Sequence, residues 1–135
     1  MPALTFPASF DYLDKIREFV GENAREAGFS EKDVYSVQLA ADEGVSNVIE
    51  HAYEGISNAT FEISCEFGDA QLVIILHDHG RPFDPSKVPQ PDVKADLSDR
   101  KIGGLGIYLM RKLMDVVRYE TTASGNVLTL IKRKV

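Results

Sequence analysis

Thr60-Phe61-Glu62-Ile63-Ser64-Cys65-Glu66-Phe67-Gly68-Asp69-Ala70-Gln71-Leu72-Val73-Ile74-Ile75-Leu76-His77-Asp78 is the stretch that decides the fold. Its first half alternates: Phe61, Ile63, Cys65 and Phe67 interleave with Thr60, Glu62, Ser64 and Glu66, the pattern of a strand with one buried face. Gly68-Asp69 turns the chain. Leu72 to Leu76 then runs without a polar residue, which predicts a central strand paired with its predecessor as a hairpin. Upstream, Ala3 to Phe6 reads as a short strand. A helix follows from about Ser9, with Leu13, Ile16, Val20, Ala24 and Ala27 at helical spacing and Gly28 as its stop. Ser30-Glu31-Lys32-Asp33 is a capping-box pattern that opens a second helix, expected to reach about Tyr53. Its apolar stripe is Val34, Val37, Ala41, Val45, Val48 and Ala52; Glu43, Asn47, Glu50 and Glu54 fall on the opposite side, outside the core.

Downstream of the hairpin the periodicity dissolves. From His79 to Ile102 a polar stretch carries Pro82, Pro85, Pro89 and Pro91, and connections of that length inside a domain are usually lids or binding segments. After Gly103-Gly104-Leu105-Gly106, the residues Ile107, Met110, Leu113 and Met114 predict a short helix. Val116 to Thr122 and Val127 to Arg133 predict two strands around Ser124-Gly125-Asn126. Helices, then strands, then a late helix imply a two-layer α+β sandwich.

With 135 residues the chain is expected to form a single domain, 1–135, with room for a real core. A formal net charge of -6, from Lys+Arg 15 against Asp+Glu 21, offers no basic footprint for nucleic acid. Cys65 has no partner for an internal disulfide and reads as core filler, in keeping with a reducing compartment. Leu72 to Leu76 is too short to span a bilayer, and Met1-Pro2-Ala3-Leu4 lacks a signal-peptide layout, so a soluble cytoplasmic protein with no membrane partner is expected.

Three fragments carry chemistry. Glu43 and Asn47 stand one helical turn apart, so a carboxylate able to take a proton from a hydroxyl lies beside an amide oxygen able to ligate a hard metal ion. On an amphipathic helix such a pair is most often a solvated face. Asp78, just past a buried strand, could accept from an exocyclic amine, with Gly80 letting a flat ring approach the backbone; Asp before Gly is also an ordinary turn. The glycines at 103, 104 and 106 open a helix, where free N–H groups and the positive dipole end suit phosphate, though glycine-rich helix entries are common. No Gly-x-x-x-x-Gly-Lys-Ser/Thr occurs, so a P-loop is excluded.

In order and spacing, Glu-x-x-x-Asn-x-x-Glu-His-Ala-Tyr, Asp-x-Gly-x-Pro-Phe-Asp-Pro and Gly-Gly-Leu-Gly-Ile-Tyr-Leu resemble the GHKL ATPases with the Bergerat fold, and within them most resemble the anti-sigma-factor serine/threonine protein kinases. The resemblance spans nearly the whole chain. It implies a two-layer sandwich with a mixed sheet, helices on one face and a long ATP lid over Asp84 to Ile102. It further implies ATP and Mg2+ as cofactors, Glu43 as general base, Asn47 as magnesium ligand, Asp78 and Gly80 at adenine, and Gly103, Gly104, Leu105 and Gly106 over the phosphates. A sigma factor, a phosphoacceptor anti-anti-sigma protein and a homodimer are the implied partners.

The chain departs from the wider superfamily in two places. Pro82 stands where many members carry a second glycine, and Asn126-Val127 stands where a threonine often follows the final hairpin glycine. Asn126 or Thr129 is the candidate to replace that threonine in the contact with adenine. Arg100 and Lys101, just ahead of the glycines, are either cations for the terminal phosphate or a solvated pair. His51, one turn beyond Asn47, touches either phosphate and its water or a local partner on the helix surface. A different class of function is a non-catalytic module that binds ATP only to switch partners; Glu43 argues against it, because binding needs no base.

Overall fold

A computed structural model describes residues 3–82 and 102–134, leaving aside the side chains of 102–106. The expected lid over Asp84 to Ile102 lies outside the described residues except for Ile102 itself. The chain runs β1 (Ala3–Pro7), a 3-10 turn (Phe10–Tyr12), α1 (Leu13–Glu26), α2 (Glu31–Asn47), a π-helical turn (Val48–Ala52), β2 (Thr60–Gly68), β3 (Gln71–Asp78), α3 (Ile102–Leu113), β4 (Val116–Thr122) and β5 (Gly125–Arg133). The five strands form one sheet in the order β1-β2-β3-β5-β4, which puts β3 at its centre as the unbroken apolar run predicts.

Every neighbouring pair is antiparallel, so the sheet is not the mixed one expected. Connection parity is the reason. Two helices between β1 and β2 return the chain reversed, and the β2–β3 and β4–β5 hairpins reverse it again. The single helix α3 does make β3 and β4 run in the same direction, but β5 folds back between them. The β2–β3 turn is a two-residue loop, Asp69-Ala70, with φ of 54° and 59°, which matches the right-handed twist of the strands.

Local signals fix the helices. The Ser30 hydroxyl accepts the Asp33 N–H at 3.2 Å and caps α2. At the end of α1, Gly28 takes φ 88°, Phe29 N–H reaches the Ala24 carbonyl at 3.1 Å and Gly28 N–H reaches that of Arg25 at 3.0 Å, a Schellman closure. The alternating row Phe61, Ile63, Cys65, Leu72, Ile74, Leu76, Leu128 and Leu130 joins Ile16, Val20, Val37 and Val45 of the helices in one core. Burying each large aliphatic side chain contributes about 1.5–3 kcal/mol. The helix α2 lies between α1 and α3 and also meets β3 and β5. Gly44 permits that close approach, since a Cβ there would fall 2.8 Å from Leu76 Cδ1 and 3.0 Å from Leu128 Cδ2.

This central placement corrects one expectation. With neighbours on three sides, α2 has little solvated face near its end: Asn47 is 8% exposed and Glu43 is half-buried. A second correction concerns α3, which begins at Ile102 and takes the glycines into its first turn rather than starting after them.

Candidate active site

The end of α2 is drawn onto the sheet by small residues, and a cleft remains where it departs. Gly44, Asn47, Val48 and Ala52 form one wall; Asp78, Asn126, Leu128 and Tyr119 form the other. The wall from α2 passes into a π-helical turn, a form that widens a helix by one residue and is frequent at functional sites. There Tyr53 N–H reaches the Val48 carbonyl at 3.0 Å, which turns the Ala52 carbonyl outward to accept Arg81 N–H at 2.8 Å.

Asp78 is the last residue of β3 and points to the helix side, 5% exposed. Its Oδ1 accepts the Gly80 N–H at 2.9 Å and the Asn126 Nδ2 at 2.8 Å. Burial raises the Asp78 carboxyl above its ordinary range; those two donors and the nearby His77 and His79 only partly offset it. Among the described residues both bonds fall on Oδ1, which leaves Oδ2 as an acceptor for a ligand's amine. Asn126 also donates to the Arg81 carbonyl at 2.8 Å and accepts from Thr121 Oγ1 at 3.2 Å, so one amide ties β5, β4 and the loop after β3 to the aspartate.

Gly80 is required by packing as well. A Cβ there would lie 2.3 Å from the Ala52 oxygen and 2.8 Å from Tyr53 Cδ1, so glycine is required for the loop to close on the π turn. Gly125 is likewise forced by Asp78, whose carbonyl oxygen would be 2.1 Å from its Cβ, and its φ is 127°. Tyr53 completes the frame: its hydroxyl donates to the Thr60 carbonyl and accepts His79 N–H, each at 2.7 Å.

Asn47 lines the cleft, and its buried Nδ2 has no hydrogen-bond partner among the described residues. An unmatched buried amide costs about 1–3 kcal/mol unless a ligand or its water satisfies it. One turn earlier, burial raises the Glu43 carboxyl, and the charges of Asp42 and Glu50 raise it further. Asp42 itself is turned to α1, where its Oδ2 accepts Arg17 Nη2 at 2.7 Å and Nε at 3.0 Å.

The structure therefore gathers Asn47, Asp78 and Gly80 at one place, with Glu43 a turn away. His51 sits half-buried in the π turn. Thr129 is not brought in: it pairs with Ile75 and Arg118 on the opposite face of the sheet, because strand parity sends Asn126, Leu128 and Leu130 to the helices. The backbone of Gly103, Gly104, Leu105 and Gly106 is helical in the first turn of α3. Arg100 and Lys101 lie outside the described residues. Gly44, Tyr53, Tyr119 and Leu128 were not singled out by sequence reasoning, although the parity of β5 already marks Leu128 as inward.

Residues 6–132 match the family described as histidine kinase-like ATPase domain. The chain is 30% identical over 133 residues to serine-protein kinase RsbW of Halalkalibacterium halodurans, covering 96% of this chain and 80% of that one. It is 35% identical over 123 residues to serine-protein kinase RsbW of Bacillus licheniformis, covering 84% and 74%. In fold it is similar to the crystal structure of RsbU and RsbW domains from Mycobacterium tuberculosis, with a TM-score of 0.63 and 20% identity over 98% of this chain, which spans 32% of that longer one.

Proposed function

The chain belongs to the histidine kinase-like ATPase domain family, and on that premise we propose that it is an ATP- and Mg2+-dependent serine/threonine protein kinase acting as an anti-sigma factor. One observation carries the reading: a buried carboxylate held by a backbone N–H and an asparagine amide shares a cleft with a second asparagine whose own amide is unmatched. The first suits the exocyclic amine of adenine, and the second suits the polar end of a nucleotide. Two relatives named serine-protein kinases support the same reading.

Asn47 would hold Mg2+ through its amide oxygen, and the ion when bound neutralises phosphate charge. Asp78 would orient the base through Oδ2 while Asn126 and Gly80 keep Oδ1 occupied. Glu43 would take the proton from the serine hydroxyl as that oxygen bonds to the terminal phosphorus and the bond to the leaving ADP oxygen breaks. Its raised affinity for protons suits this role, since a base works best with a pKa nearer the working pH. The glycines at 103, 104 and 106, with Arg100 and Lys101, would meet the phosphates, and His51 would stand beside them. Residues 1–135 act as one domain in this reading. The protein substrate is a small anti-anti-sigma protein, the sequestered partner a sigma factor, and the working unit a homodimer.

Transfer of labelled phosphate from ATP to a co-purifying partner tests the proposal. Glu43→Gln is expected to slow transfer roughly a hundred- to ten-thousand-fold while leaving nucleotide bound; transfer at the native rate refutes the base. Asn47→Ala is expected to lose the Mg2+ dependence of binding. An inert native chain that still binds ATP and releases a partner would instead establish the non-catalytic switch.

A further inference from the structure

The face of the sheet turned away from the helices carries a second cluster, independent of the nucleotide reading. Glu62 of β2 is paired directly with His77 of β3, so both side chains stand on that face, and His79 follows two residues later. These are two of the chain's 3 histidines. One nitrogen or oxygen from each of Glu62, His77 and His79 lies within 4.8 Å of the others.

The β4–β5 turn fixes how the rings are protonated. Ser124 presents its carbonyl oxygen to His77 Nε2 at 3.0 Å and to His79 Nδ1 at 2.9 Å. A carbonyl only accepts, so both nitrogens donate N–H. The remaining nitrogens, His77 Nδ1 and His79 Nε2, then carry lone pairs when the rings are neutral. Both face the same oxygen, Glu62 Oε1, at 3.9 Å and 3.1 Å. At 3.1 Å a proton on His79 Nε2 bridges that ring to Glu62 Oε1 in a hydrogen bond, and a metal cation among the three atoms would take that proton's place.

We propose that Glu62, His77 and His79 form a binding site for a zinc-class divalent transition metal on the open face of the sheet. Imidazole and carboxylate are the donors such ions take, and two histidines with one carboxylate leave the fourth position to water. Ligands about 2.0–2.1 Å from a tetrahedral centre sit roughly 3.3 Å apart, so the 3.1 Å and 3.9 Å separations need only a small adjustment of the Glu62 side chain. The outer N–H of each ring is already held by a backbone carbonyl, which is the support that orients metal-bound histidine. Because His77 and His79 flank Asp78, and Gly125 of the same turn packs on Asp78, an ion here clamps the outer side of the strand end whose inner side faces the cleft.

The test uses the full chain stripped with chelator and titrated with Co2+, whose visible ligand-field bands report tetrahedral nitrogen and oxygen ligation. One Co2+ per chain, displaced by Zn2+, is expected. His77→Ala and His79→Ala should each weaken binding at least about tenfold. Ring 1H–15N correlations of the native chain give a readout independent of variant folding: Zn2+ should perturb His77 Nδ1 and His79 Nε2. The site is refuted if the double histidine variant binds Co2+ as tightly as the native chain, if saturation brings no tetrahedral bands, or if Zn2+ perturbs only His51.

Discussion

Gly80→Ala separates two jobs that the Asp-x-Gly fragment could perform. If the glycine serves only to let a nucleotide ring approach, alanine weakens binding and leaves the fold unchanged. The packing says otherwise. An alanine methyl would meet the Ala52 oxygen at 2.3 Å and its carbon at 2.6 Å, where ordinary contact begins at 3.4 Å. Backbone at the end of the π turn or in the 79–82 loop must therefore move by about an ångström. That movement lengthens the Arg81 N–H bond to the Ala52 carbonyl, now 2.8 Å, beyond useful range. Losing it costs about 1 kcal/mol and the residual overpacking about 1–3 kcal/mol. The native φ of Gly80 is not left-handed, so no conformational penalty adds to these. The expected loss is about 2–4 kcal/mol, measured as a lower urea midpoint at unchanged slope, or a Tm lower by roughly 6–15 °C. A variant within about 0.5 kcal/mol of the native chain that nonetheless loses ATP would refute the packing argument and restore the ligand-approach role.

Three shorter expectations follow from single contacts. Burial, then Asp42 and Glu50, hold the Glu43 carboxyl above its ordinary range, so the folded chain binds that proton more tightly than the unfolded chain does. Native stability therefore falls as pH rises from the ordinary carboxyl range through the folded pKa; Glu43→Gln removes that fall, and should melt above native at about pH 7 and level with it at about pH 3. Ala70 holds φ 59° in the two-residue β2–β3 turn, where glycine is unstrained, so Ala70→Gly should raise unfolding free energy by about 0.5–1 kcal/mol; a loss would show that the turn is not of the expected type. Burial pushes the Cys65 thiol up to about 12, so alkylation at neutral pH should proceed only through unfolding and accelerate with urea. Labelling as fast as a free thiol would place Cys65 at the surface.

Legibility in the sequence tracked how local each determinant is. The caps at Ser30 and Gly28, the alternation of Thr60 to Phe67 and the apolar run in β3 are written in adjacent residues, and each appears where periodicity puts it. Strand direction is not local. It depends on how many helices each connection contains and on β5 folding back between β3 and β4, so a mixed sheet was a natural expectation and an antiparallel one the outcome. The start of α3 was misplaced for a different reason: glycine lowers helix propensity, by about 1 kcal/mol each against alanine, and tertiary placement overrides it.

The site shows the same division more sharply. Glu43 and Asn47 were placed outside the core because an amphipathic helix has one buried stripe, which holds only while the helix packs on one side. Once α2 lies between two helices and over the sheet, the side opposite the stripe becomes a wall, and a polar residue on it must find a partner. The orphaned amide of Asn47 is thus a product of tertiary packing, which the sequence could not display. Asn126 and Thr129 part on a period of two that was available from the start: with Leu128 and Leu130 inward, residue 126 is inward and residue 129 is not. The polar group that braces Asp78 had therefore to come from Asn126, and removing its amide should release the aspartate and the 79–82 loop together.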